Sequence, residues 1–189
     1  MGKVRKLELS RYAVKTFTKF KFHEENEIEE LSLCTYDAEY IIEILRTENK
    51  SIWMGKMKRV SLEGYATGML PKLGFHEDTE MESLSLSIHG ARDITGMPRT
   101  DSSGGVWIGK VKTLRLEGYA VKILLRLGIH GENEMEELTL GACCREHIAE
   151  ILGTGKKSVW IGKVKKINLD RHTSEIKDRL DFTLVSGSL

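Results

Sequence analysis

The tetrapeptide Met54-Gly55-Lys56-Met57 returns as Ile108-Gly109-Lys110-Val111 and as Ile161-Gly162-Lys163-Val164. Met1-Gly2-Lys3-Val4 starts the same phrase, and successive copies lie 53, 54 and 53 residues apart. A chain that rewrites itself at a fixed period is an array of one supersecondary unit, because each unit leaves apolar surface that only its neighbour covers. The 189 residues are therefore expected to form one body, with 40% hydrophobic side chains to supply a continuous core.

Each long unit divides into two similar halves. The first carries Val111-x-x-Leu114-x-Leu116 and the second Met135-x-x-Leu138-x-Leu140. The same spacing recurs at Val4/Leu7/Leu9, Ile28/Leu31/Leu33, Met57/Val60/Leu62, Met81/Leu84/Leu86 and Val164/Ile167/Leu169. Alternation at period two predicts seven short strands, near 4–9, 28–33, 57–62, 81–86, 111–116, 135–140 and 164–169. Their starts are separated by 24, 29, 24, 30, 24 and 29 residues, a strict short-long alternation.

An L-x-x-L-x-L core at intervals of 20 to 30 residues resembles the leucine-rich repeat family, and the alternation of two repeat types is similar to its ribonuclease-inhibitor-like subclass. The resemblance covers nearly the whole chain. It implies an α/β solenoid, a horseshoe with a parallel sheet on the concave face and helices on the convex face. Residues 1–189 would then be a single domain of about seven half-repeats, with 174–189 as a C-terminal cap. It also implies protein–protein recognition in general. The departure lies three residues beyond the last leucine, where the family carries Asn or Cys. Here that position holds Tyr12, Tyr36, Tyr65, His89, Tyr119, Cys143 and His172.

Between the strands, Ile123, Leu124 and Leu127 suit one buried helix face, and Tyr12 to Phe20 reads the same way. Gly74 and Gly128 stand where left-handed C-terminal caps are expected. Trp53, Trp107 and Trp160 each precede a strand, and their recurrence at the repeat period predicts core packing.

The two residues after the first apolar position are Arg5-Lys6, Glu29-Glu30, Lys58-Arg59, Glu82-Ser83, Lys112-Thr113, Glu136-Glu137 and Lys165-Lys166. Strands about 4.8 Å apart would bring basic and acidic rows into cross-strand pairing. This ladder is expected to neutralise itself and to penalise slipped registers, which would set like charges opposite each other. The next outward position is short and polar (Ser32, Ser61, Ser85, Thr139, Asn168), without aromatic anchors for a partner.

Candidate binding residues come from three places where the chain departs from its own rule. After the fourth strand, Pro98 replaces an aligned leucine and stops a helix. The segment Arg92–Gly105, with Arg92, Asp93, Arg99 and Asp101, is expected to be a loop, either one for partners or modification or the remnant of a decayed helix. Basic residues concentrate at the ends: Met1–Phe22 has net charge +6 and Lys156–Leu189 has +4, while the whole chain has +1. Lys3, Arg5, Lys6 and Arg11 at one end, with Lys163, Lys165, Lys166 and Arg171 at the other, could contact phosphate-rich surfaces. Finally, the first strand begins next to Met1 with no polar capping unit ahead of it, so end-to-end self-association is expected there.

Little chemistry is expected. His23, His76 and His130 stand beside acidic residues but lie two half-repeats apart, roughly 10 Å, and are read as turn residues. Cys143-Cys144 lacks C-x-x-C spacing and occupies a position that Tyr fills elsewhere. No phosphate loop, nucleophile elbow or paired-carboxylate motif is found, so neither an enzyme nor a cofactor or metal is expected. Three cysteines, two of them adjacent, make a poor disulfide framework and favour a cytoplasmic, reducing setting. No apolar run is long enough to span a membrane. The function expected is a non-catalytic protein–protein interaction or scaffold module with an unidentified protein partner; the alternative is a ribosome- or RNA-associated factor using the basic ends.

Overall fold

Alternating leucines direct one side of every strand inward, and the computed structural model, which describes residues 5–20, 28–52, 57–76, 78–90 and 105–186, stacks those strands in parallel. They are β1 (Lys6–Ser10), β2 (Glu30–Thr35), β3 (Arg59–Gly64), β4 (Glu80–Ile88), β5 (Val106–Gly118), β6 (Leu127–Ile129), β7 (Glu134–Gly141), β8 (Val159–Leu169) and β9 (Leu180–Leu184). The order across the nine-stranded sheet is β1-β2-β3-β4-β5-β7-β8-β9, with β6 attached to β5.

Register converts the leucine pattern into two continuous apolar rows. Leu7, Leu31, Val60, Leu84, Leu114, Leu138 and Ile167 are partners in sequence across the sheet. Leu9, Leu33, Leu62, Leu86, Leu116, Leu140 and Leu169 form the second row. The middle members are almost fully buried, whereas Leu7, Leu9, Ile167 and Leu169 at the ends are only partly covered. Each buried leucine stabilises by about 1.5–3 kcal/mol, so the rows are the main source of stability and weaken toward both ends.

The segments returning from one strand to the next differ from the α-helices expected. Arg11–Lys19, Tyr65–Lys72, Tyr119–Arg126 and Thr173–Arg179 are 3₁₀ helices, and the α-helices Ile42–Leu45 and Ala149–Leu152 are one turn each. Length explains the choice. A five- or six-residue strand advances roughly 17–20 Å. Eight residues return about 16 Å as a 3₁₀ helix but only about 12 Å as an α-helix. Three residues per turn also aligns the fully buried pairs Val14/Phe17, Ala66/Met69, Ala120/Ile123 and Thr173/Ile176.

The repeated Gly-Lys phrase has a structural task. Register shifts occur at Trp107/Gly109 and Trp160/Gly162, where the glycines adopt φ of 72° and 86°. Such a bulge needs the left-handed conformation that glycine adopts freely. Before the bulge, β5 pairs with β6; beyond it, β5 pairs with β4 and β7. In the same way β8 turns from β9 to β7. The three copies close identically, through Ile52↔Leu73, Val106↔Leu127 and Val159↔Leu180.

Two glycine expectations and one tryptophan expectation need correction. Gly74 and Gly128 are not left-handed caps, and Gly128 lies inside β6. Trp160 is 43% exposed and Trp107 half-buried, so neither is a core residue. A Cβ on Gly162 would come within 3.0 Å of the Trp160 ring, and one on Gly128 within 2.8 Å of the Trp107 ring. The indoles therefore lie on glycines as lids over the bulged segments. Trp53 lies outside the described residues.

Candidate functional site

The outward side of the sheet is a ladder of short contacts. Lys6, Glu30, Arg59, Ser83, Thr113, Glu137 and Lys166 are register partners. Arg59 bridges Glu30 on one side and Glu82 on the other. Lys58–Glu29 and Lys166–Glu137 each close at 3.2 Å, and Lys110–Glu80 at 3.9 Å. The bond from Arg59 holds the Glu30 carboxyl below its usual range, and the bond from Lys166 does the same for Glu137. The neighbouring row runs Glu8, Ser32, Ser61, Ser85, Arg115, Thr139 and Asn168, with three serine hydroxyls at its centre between two charged members. Much of this face's charge is paired between strands.

Aromatic surface gathers instead beyond the ends of β1 and β2. Tyr12 is 65% and Tyr36 60% exposed, with Tyr40 beside Tyr12. Tyr12 and Tyr40 meet edge to face at 5.9 Å. The Lys15 ammonium sits 5.4 Å and 5.0 Å from their ring centres and bonds Glu39 at 2.8 Å, which raises its pKa. The Tyr36 hydroxyl donates to Glu63, and that bond raises the phenol pKa above its ordinary value. Burial raises the neighbouring Cys34 thiol, helped by the Glu63 charge. The arrangement is amphipathic: rings with polar tips, flanked by the Lys15–Glu39 ion pair and the Tyr36–Glu63 hydrogen bond.

Of the binding residues expected from sequence, Lys3, Arg92, Asp93, Arg99 and Asp101 lie outside the described residues. Arg5, Lys6 and Arg11 mark the β1 end of the sheet, and Lys163, Lys165, Lys166 and Arg171 the β8 end. Six strand spacings separate β1 from β8, roughly 29 Å, so these two groups form no single patch. Lys6 is paired with Glu8 at 2.9 Å and Lys166 with Glu137, while Arg5, Arg11, Lys163, Lys165 and Arg171 make no ion pair among the described residues. Beside the second group, Lys156, Lys157 and Lys177 join Asp178 and Phe182 around an open groove of about 800 Å³.

His76 and His130 serve turns: Thr79 N donates to the His76 carbonyl at 3.0 Å, and His130 Nδ1 accepts from Glu132 N at 3.1 Å. His23 lies outside the described residues. A different histidine matters more. His147 is buried, and its Nδ1 lies 3.9 Å from Cys143 Sγ, with Cys144 beside it. Burial lowers the imidazole pKa, keeping the ring neutral. Cys144 shares a hydrogen bond with Glu146, which raises the thiol and lowers the carboxyl. The sequence reading weighed the cysteines without His147; the C-C-x-x-H spacing was the available signal.

No family model, curated protein or solved structure matches this chain. Among the described residues, no helix is long and apolar enough to cross a membrane.

Proposed function

We propose that the chain is a non-catalytic, cytoplasmic interaction module: a leucine-rich-repeat solenoid, horseshoe-like, that recognises a protein partner. Parallel strands at regular leucine spacing, each joined to the next by a short return segment, support the family reading. One observation carries the binding reading: the exposed tyrosines Tyr12 and Tyr36, with Tyr40 stacked beneath Lys15, stand beyond the edge of a sheet face much of whose charge is paired between strands. Tyrosines pre-positioned by their neighbours lose little side-chain entropy on binding and dominate protein interfaces. The partner contact therefore belongs at this end of the array.

The test is parallel affinity purification from native lysate with the natural chain and with Tyr12→Ala/Tyr36→Ala, under RNase and moderate salt. A discrete protein retained through both treatments, and lost with the variant while Tm stays unchanged, is the expected result. Equal recovery by both chains would remove the tyrosine site. Recovery abolished by RNase would favour the ribosome- or RNA-associated alternative, since phosphate contacts weaken steeply with salt.

A further inference from the structure

The chain contains its own control for one unusual turn. Tyr36-Asp37-Ala38-Glu39-Tyr40 and Cys143-Cys144-Arg145-Glu146-His147 occupy the same place in two long units. Each follows a strand, passes through a one-turn 3₁₀ helix (Ala38–Tyr40, Arg145–His147) and enters a one-turn α-helix. Even the ring contact is kept: Tyr40 meets Tyr12, and His147 meets Tyr119 at 4.3 Å.

What differs is the side-chain chemistry at three positions. Asp37 caps the first turn, its Oδ1 accepting from Glu39 N at 2.9 Å, and Tyr36 donates to Glu63. Cys144 takes the capping position without a side-chain capping bond, Cys143 replaces Tyr36, and His147 replaces Tyr40. Thus a phenol, a carboxylate and a second phenol become two thiols and an imidazole. The three new groups converge: Cys143 Sγ, Cys144 Sγ and a His147 ring nitrogen all lie within 4.8 Å of one another.

We propose that Cys143, Cys144 and His147 form a zinc(II) site with its fourth position open toward solvent. Tetrahedral zinc with bonds of about 2.3 Å to sulfur and about 2.0 Å to nitrogen holds sulfur and nitrogen about 3.5 Å apart. The 3.9 Å between Cys143 Sγ and His147 Nδ1 already approaches that separation, and rotation of the two thiols supplies the rest. The turn is also pre-set. Ala142 N donates to Asp170, His147 N to the Cys144 carbonyl at 3.3 Å, and Tyr119 holds the imidazole plane. Cys143 is exposed, which gives the ion a path in, and the Glu146 carboxylate is hydrogen-bonded to Cys144 at the edge of the site. On binding, each cysteine releases one proton to solvent and coordinates as thiolate, with the imidazole bound neutral. No electron is transferred.

The experiment uses the full chain, reduced and metal-free, titrated with zinc(II) against a chromophoric chelator, and with cobalt(II) for its spectrum. One ion per chain, a thiolate-to-cobalt charge-transfer band and a Tm that rises with zinc are expected. Cys143→Ser or Cys144→Ser weakens binding at least about 10-fold, as loss of a ligand costs no less than loss of an outer-shell partner. Cys34→Ser leaves binding unchanged. Cys143→Tyr/Cys144→Asp/His147→Tyr, which installs the side chains of the first copy, folds and does not bind. The proposal is overturned if the natural chain does not bind zinc, if that triple variant still binds, if the cobalt spectrum lacks the thiolate band, or if one ion needs two chains.

Discussion

The side-chain amide of Asn133 stands in for a strand partner of Val111. Val111 N donates to Asn133 Oδ1 at 3.0 Å, and Asn133 Nδ2 donates to the Val111 carbonyl at 3.2 Å. Asn133 is 2% exposed, so neither bond has water as a substitute. One residue thereby closes the gap between the bulge and the register-paired part of β5. Asn133→Ala leaves two buried backbone groups unpaired and is expected to cost about 2–4 kcal/mol. Asn133→Asp keeps the acceptor and loses the donor, and falls between the two in urea unfolding. Equal midpoints for all three chains would show that the amide is dispensable.

Arg11, Gly64 and Gly118 occupy one position in three copies, and all three are left-handed, with φ of 53°, 63° and 63°. A Cβ on Gly64 would meet the Thr35 carbonyl at 2.2 Å, and one on Gly118 the Ile88 carbonyl at 2.1 Å. Among the described residues, β1 has no strand on its other side to supply such a carbonyl, which is why an arginine fits there. Gly118→Ala therefore combines backbone strain with a clash and is expected to cost about 2 kcal/mol or more. Arg11→Gly only relieves the left-handed conformation, a gain of at most about 1 kcal/mol after the added freedom of the unfolded chain. A smaller loss from Gly118→Ala than from Ala120→Gly would contradict the carbonyl approach.

Strand positions were legible because leucines at period two leave one way to bury them, and the bulge glycines were visible as repetition without a meaning. Return segments were harder. Ile123, Leu124 and Leu127 satisfy an α-helical face, yet Leu127 begins β6, because the distance to be covered, not the apolar spacing, selects the 3₁₀ form. Trp160 shows that recurrence at the repeat period does not mean burial: it recurs because Gly162 recurs. The tyrosine cluster was written in the sequence as an odd residue after each strand. Only the fold shows that Tyr12 meets Tyr40 rather than the tyrosine at its own repeat position, Tyr36.

Asp170 gives the chain a specific acid sensitivity. Partial burial pushes its carboxyl up, but hydrogen bonds from Thr173 N, Ala142 N, the Thr173 hydroxyl and His172 N outweigh this and leave the pKa below the ordinary value. A depressed folded pKa means the folded chain takes up this proton less readily than the unfolded chain. The stabilisation is complete above the unfolded pKa, about 3.9, and is lost as pH falls through the folded value. Asp170→Asn should lower the urea midpoint at pH 7 and flatten its dependence on pH below about 4. An unchanged acid slope would assign that slope to other carboxylates.

The bridge from Glu30 through Arg59 to Glu82 specifies register more than it adds stability, because all three side chains are solvated and such pairs are screened by salt. Arg59→Glu places three carboxylates along adjoining strands, where the repulsion outweighs the attraction of Lys6, the register partner of Glu30. It is expected to lower the unfolding midpoint markedly in dilute buffer and far less in high salt. Reversing the flanks as well, in Glu30→Lys/Arg59→Glu/Glu82→Lys, restores alternation with every sign inverted. If neutralisation between strands is what the ladder provides, the triple variant recovers most of the lost midpoint. If Arg59 acts through its stem packing on the sheet, the triple variant stays as weak as the single, and the loss persists in salt.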